Sequence, residues 1–120
     1  MAINKILVVD DSDTERLVLE ELLTKNNYQV ITASSGEEGV SKSKNEKPDL
    51  VVMDVVMPGM NGFQATRSIT TDEETKHIPV IMCTTKNQET DKIWAAKQGA
   101  KDYVCKPVDG DELLSKIKAL

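Results

Sequence analysis

Short apolar runs alternate along this chain with longer segments whose apolar residues recur at helical spacing. Lys5 to Val9 (KILVV) reads as a strand and ends on Asp10 and Asp11. Ser12 and Glu15 have the Ser-x-x-Glu form of a helix cap, with Asp13 as a rival cap. Val18, Leu19, Leu22 and Leu23 then fall at helical spacing and Asn26-Asn27 closes the element. Tyr28 to Ala33 alternates as a strand does, and Ser35 with Glu38 opens a weak helix reaching about Lys44. Leu50 to Met53 is a continuous apolar run, the signature of a strand buried on both faces, and it stops abruptly on Asp54. Pro58, Gly59 and Asn61-Gly62 predict a tight loop with positions that tolerate positive φ, leading into a helix from Phe63 to Ile69.

Thr70 to His77 is polar and predicts a loop or a frayed helical end. Pro79 to Cys83 is the fourth strand and delivers Thr84 and Thr85 to its carboxyl end. Asn87 to Gln98 is helical, with Ile93, Trp94 and Ala96 as its less polar positions, and Gly99 stops it. Asp102 to Cys105 is the fifth strand and hands over to Lys106-Pro107. Asp109 and Glu112 box the last helix, whose apolar stripe is Leu113, Leu114, Ile117 and Leu120. Five strand and helix alternations imply right-handed crossovers and an α/β, doubly wound, five-stranded parallel sheet with helices on both faces. The ordinary solution is the flavodoxin-like order 2-1-3-4-5, whose switch point lies between the first and third strands, the two that end in acids.

Composition narrows the functional classes. The 120 residues show no compositional break, which predicts a single domain over 1–120 with no output domain. The formal net charge of -5 argues against binding nucleic acid through its backbone, which needs a basic face. No apolar stretch is long enough for membrane insertion, and the start of the chain lacks the form of a signal peptide. Two cysteines, Cys83 and Cys105, both at the ends of apolar runs, read as core residues of a cytoplasmic protein with reduced thiols. His77, the one histidine, lies in the polar segment and reads as solvated.

Under the expected topology Asp10, Asp11, Asp54, Thr84 and Lys106 converge on one sheet edge, where open parallel sheets bind ligands. Two carboxylates about 4 Å apart repel by roughly 4 kcal/mol at an effective dielectric near 20, so three together call for a cation. Oxygen donors favour Mg²⁺, Mn²⁺ or Ca²⁺ over zinc. A hard cation beside a carboxylate, an ammonium and a hydroxyl suits phosphoryl transfer, with Asp54 as nucleophile, Lys106 on the phosphoryl oxygens and Thr84 donating a hydrogen bond.

The stretches VVDD at 8–11 and DVVMPGMNG from Asp54, with Thr84 after a buried strand and Lys106-Pro107, resemble the receiver domain of two-component response regulators. The resemblance covers the whole chain. It implies a CheY-like protein phosphorylated on Asp54 by a histidine kinase, with Mg²⁺ held by Asp11, Asp54, the backbone carbonyl of Val56 and, through water, Asp10. It further implies a cis Lys106-Pro107 bond and an aromatic switch at Tyr103 coupled to Thr84. The partner-reading face would span residues 87–119, near Trp94 and Tyr103. Such a domain catalyses only its own phosphorylation and dephosphorylation, and is not otherwise an enzyme.

Three positions depart from the usual receiver pattern, Val56, Thr85 and Lys86, and they flank the route of an attacking water. The runs GFQATRSIT, TTKNQETDKIWAAKQGAKDY and KPVD are similar to the single-domain regulators of type IV pilus twitching motility, which implies a chemotaxis-type, CheA-like kinase as donor. Competing readings are a receiver-like interaction module that signals without phosphate, and a phosphate sink for the kinase. A haloacid-dehalogenase site needs D-x-D-x-T, which Asp11-Ser12-Asp13-Thr14 misses by one residue. A calcium loop needs glycine where Arg16 stands.

Overall fold

The computed structural model describes residues 2–120. Its elements alternate as β1 (Lys5–Val9), α1 (Asp13–Lys25), β2 (Gln29–Ala33), α2 (Gly36–Glu46), β3 (Leu50–Met53), α3 (Gly62–Thr71), β4 (Val80–Thr84), α4 (Glu89–Lys97), β5 (Asp102–Cys105) and α5 (Gly110–Lys118). All strand pairs are parallel and the sheet order is β2-β1-β3-β4-β5, as the alternation predicts. Among the described residues no helix is long and apolar enough to cross a membrane.

The period of two along each strand divides the core into two layers. Leu7, Val9, Val51, Met53, Val80 and Met82 face one side and pack with Ala65 and Ile69 of α3 and Ala95 of α4. Ile6, Val8, Leu50, Val52, Ile81 and Val104 face the other and meet Leu19 and Leu23 of α1 and Leu113 and Ile117 of α5. The continuous apolar run of β3 is thus explained by helices on both sides: all four of its residues are buried.

The helical stripes are narrower than their spacing suggests. On α1 the buried line is Leu19 and Leu23, four residues apart, whereas Val18 lies one residue, about 100°, off that line and is 57% exposed. Leu120 falls beyond α5 and is exposed. The fourth helix is shorter than its polarity pattern predicts. Ala95 is its one buried residue, so Ile93 and Trp94 are half exposed and Ala96 is exposed. A small side chain at the contact lets the helix backbone sit close to the sheet, and the larger apolar groups point elsewhere.

Two polar stretches are more ordered than their composition implies. α3 continues through Thr71, whose hydroxyl donates back to the Arg67 carbonyl, and the Thr70 hydroxyl donates to the Gln98 carbonyl at 2.6 Å, tying α3 to the end of α4. Thr75, inside the following turns, is buried and donates to the Ile69 carbonyl. His77 is exposed, as expected. Cys83 is buried and its thiol is pushed up to about 12 by burial; Cys105 is half-buried, and both are free.

Asp49 fastens the N-terminal edge of the sheet. Its Oδ2 accepts from the backbone N–H groups of Asn4 at 3.0 Å and Lys5 at 2.9 Å, and these bonds hold its carboxyl below the ordinary value of 3.8. Asp49→Ala leaves both donors without this partner and is expected to cost about 1–3 kcal/mol in urea unfolding at pH 7. Because the folded pKa is lowered, the ionised form's contribution is present above 3.8 and fades as pH falls through the folded value. The gap between variant and wild type narrows correspondingly in acid; a gap independent of pH removes the ionic part of the explanation.

Candidate functional site

Three backbone positions at the carboxyl edge are pinned by the strand beside them. The N–H of Asp10 donates to the Ala33 carbonyl at 3.1 Å, that of Asp54 to the Val9 carbonyl at 3.0 Å, and that of Lys106 to the Thr84 carbonyl at 2.8 Å. Each residue is therefore the first past its strand yet still within the ladder, which aims a side chain without loop freedom. Asp54 is 6% exposed and Asp10 1% exposed.

The Lys106 side chain, 6% exposed, lies among the acids. Its Nζ is 2.7 Å from Asp10 Oδ2, 2.9 Å from Glu15 Oε2 and 3.6 Å from Asp54 Oδ2. Burial alone would lower the Lys106 pKa, but the hydrogen bonds to Asp10 and Glu15 and the nearby charge of Asp54 more than offset it, so the ammonium is held above its ordinary range. Burial raises the Asp54 carboxyl above 3.8; Lys106 pulls it back, Asp10 adds to the rise, and the backbone N–H groups of Val55 and Val56 oppose it. The Val55 N–H donates to Asp54 Oδ1 at 2.8 Å, leaving Oδ2 toward the cation.

Thr84 is fully buried at the end of β4, and its Oγ1 accepts from the Lys86 N–H at 3.3 Å. The Tyr103 hydroxyl donates to the Lys86 carbonyl, so the two candidate switch residues are joined through one residue of the β4–α4 loop. The ring sits partly buried against the core, and burial pushes its phenol up to about 12. The Lys106-Pro107 bond is cis. Val56 exposes its side chain at the rim and, with Met57, Asn61, Phe63 and Lys86, lines a groove of about 290 Å³ beside Asp54.

The geometry brings together Asp10, Asp54 and Lys106 as expected. It differs at two acids. Asp11 is exposed and stands outside the carboxylate group, whereas oxygens of Asp10, Glu15 and Asp54 lie within 4.8 Å of one another. Ser12 caps α1 by accepting from the Glu15 N–H, but the reciprocal half of a capping box is missing, because the Ser12 N–H donates to Asp10 Oδ1. The Glu15 carboxylate is thereby free to reach Lys106, a function the sequence reading missed. An Asp two residues before the cap is the signal that would have revealed it, since it takes the N–H that the cap glutamate otherwise holds.

The donor set is suited to a hard divalent cation: it is all oxygen, with two buried carboxylates whose charge one ammonium balances only in part.

The response regulator receiver domain family matches residues 6–118. The chain is 56% identical over 116 residues to protein PilH of Pseudomonas aeruginosa, covering 97% of this chain and 96% of that one. It is 39% identical over 115 residues to the transcriptional regulatory protein AfsQ1 of Streptomyces coelicolor, of which it spans 50%. Its fold superposes with a TM-score of 0.89, at 28% identity and over 98% of this chain and 97% of the other, on a receiver domain of a sensor histidine kinase from Pseudomonas aeruginosa solved with a magnesium ion coordinated in its active site cleft.

Proposed function

Since the chain belongs to the response regulator receiver domain family, we propose that it accepts a phosphoryl group from a histidine kinase on Asp54 and switches a protein-interaction face in response. The observation that carries this reading is the buried Asp54 carboxylate at the β3 tip, 3.6 Å from an ammonium that Asp10 shares. Asp54 Oδ2 attacks phosphorus in line; the P–O bond forms as the P–N bond to the donor imidazole breaks, and its electron pair stays on that ring nitrogen. Lys106 moves from its carboxylates onto a phosphoryl oxygen, and the Thr84 hydroxyl donates to another. Asp10, Asp11, Asp54 and the Val56 carbonyl would hold Mg²⁺. When bound, the ion neutralises charge on the transferring oxygens.

As Thr84 turns toward the phosphoryl group, its bond from the Lys86 N–H is given up and the Lys86 carbonyl loses its position against the Tyr103 hydroxyl. Tyr103 lines a groove of about 290 Å³ with Lys92, Ala95, Ala96 and Lys116, within the 87–119 face, so the switch residue opens directly onto a surface a partner can read. Trp94 does not line this groove. The donor would be a CheA-like kinase and the pathway chemotaxis-like control of type IV pilus twitching motility; the likeness to PilH over nearly the full length of both chains supports this. In this reading the protein acts in the cytoplasm as one domain and catalyses only its own phosphorylation and dephosphorylation.

Incubation with acetyl phosphate and Mg²⁺ tests the reading. The expected result is one hydroxylamine-labile phosphoryl group that peptide mass mapping places on Asp54. A folded protein that takes no label from acetyl phosphate or from a phosphorylated histidine phosphotransfer domain overturns it.

A further inference from the structure

The Lys106 ammonium has three carboxylates within reach, and it does not sit nearest the one that does the chemistry. Asp10 is fully buried and fixed by the Ser12 N–H, so its place is set by the sheet edge. Glu15 is different. It lies on the first turn of α1, its side chain is 46% exposed, and it reaches inward to Nζ at 2.9 Å although water is available to it. A charge-assisted hydrogen bond at this distance to a nearly buried ammonium is stronger than an exposed pair, because the cation cannot be solvated instead.

We propose that Glu15 is a positioning residue of the phosphorylation site: it draws Lys106 toward α1, keeps the ammonium from closing on Asp54 Oδ2, and so leaves the acceptor oxygen open. This inference rests on the phosphoacceptor reading of Asp54. Three observations support it. The two hydrogen bonds of Nζ go to Asp10, just past β1, and to Glu15 on α1, and the contact to Asp54 exceeds hydrogen-bond length. The Glu15 carboxylate is released for this contact because Asp10 holds the N–H that would otherwise complete the cap. Lys106, Glu15, Val18, Pro107 and Val108 line one groove of about 230 Å³, so Lys106 and Glu15 share a surface with α1.

Without Glu15 the ammonium is left to its two remaining acids, and balance between them brings it into hydrogen-bond range of Asp54. A cation entering from solvent then has to displace an ion pair from the acceptor itself. Glu15→Gln removes the charge and keeps the length; Glu15→Asp keeps the charge but withdraws the carboxylate by one methylene. Position 15 is half-exposed on the helix, so neither substitution disturbs the core.

The measurements are crystal structures of both variants without metal, and the Mg²⁺ concentration giving half-maximal labelling from acetyl phosphate. In both variants Nζ is expected to lie within about 3.0 Å of Asp54 Oδ2. The half-saturating Mg²⁺ concentration is expected to rise by about threefold to tenfold, with the limiting rate at saturating Mg²⁺ within about twofold of wild type. If Nζ remains where it is in either structure, or if half-saturation does not change, the inference is wrong. Wild-type behaviour in Glu15→Asp with a raised value in Glu15→Gln also overturns it, because the charge of Glu15 would then act at a distance and not by placing Lys106. Failure of the wild-type protein to take label is a separate outcome that removes the phosphoacceptor reading.

Discussion

Asp54→Asn is expected to abolish labelling from acetyl phosphate, lowering the initial rate by more than about 100-fold, while the protein remains folded and becomes more stable at neutral pH. The loss of labelling follows from chemistry: an amide oxygen carries no charge with which to attack phosphorus. The gain in stability follows from position. Burial raises the Asp54 carboxyl above 3.8, and Asp10 adds to the rise, so the folded protein holds this proton more tightly than the unfolded chain does. A carboxyl raised in this way contributes fully to stability below 3.8 and loses that contribution as pH rises through the folded value. At pH 7 the ionised group therefore opposes folding, and asparagine removes the opposition while its oxygen still accepts from the Val55 N–H. Urea midpoints measured without metal from pH 7 down to pH 3 should show the variant ahead at neutrality and the difference closing in acid. A variant less stable than wild type at pH 7 would mean that the attraction of Lys106 outweighs burial at this site. Retained labelling would move the acceptor to another residue.

The features legible in the sequence are those whose cause is local. An apolar run that ends on an acid marks Asp10 and Asp54 because a buried parallel strand leaves few other places for a charge, and β1, β3 and β5 occupy the residues their composition marks out. The convergence of Lys106 on these acids was legible only through topology, since nothing near Lys106 in the chain refers to Asp10. Glu15 was hidden for a related reason. Its local role as a cap residue accounted for it fully, and its actual partner lies 91 residues away. Asp11 shows the limit of adjacency: successive residues leaving a strand point to opposite sides, so Asp11 is exposed and stands apart from the group that Asp10, Glu15 and Asp54 form. The less polar positions of α4, Ile93, Trp94 and Ala96, did not reveal which residue packs; the contact is made by Ala95, because closeness of approach decides which face meets the sheet.

Gly62→Ala is expected to destabilise the protein by about 3 kcal/mol or more, and the reason differs from the one its sequence suggests. Asn61-Gly62 looks like a turn pair chosen for backbone freedom. In the structure the positive φ of this loop belongs to Gly59, at 72°, and Gly62 is the first residue of α3 with Asn61 as its N-cap. The cap is complete, with Asn61 Oδ1 accepting from the Gln64 N–H and Gln64 Oε1 from the Asn61 N–H. What Gly62 supplies is space: a Cβ there would stand 1.9 Å from the Asp54 carbonyl oxygen and 2.8 Å from the Val55 Cα, both backbone atoms that cannot swing aside. The Gly62 N–H also donates to the Val55 carbonyl at 2.9 Å, so the helix start is fastened to the residue after the acceptor. A methyl group must therefore push α3 away or push the Asp54 backbone off the end of β3. The second displaces the nucleophile, and a shift of about 1 Å costs up to about 100-fold in rate. Gly59→Ala, strained by its left-handed backbone and meeting only the movable Glu37 carboxylate, at 3.0 Å, should cost about 1–2 kcal/mol and leave labelling nearly unchanged. Urea unfolding and initial labelling rates of the two variants separate space from backbone freedom. Gly62→Ala within about 1 kcal/mol of wild type would show that α3 can withdraw without disturbing the acceptor, and the close approach would then be incidental to phosphorylation.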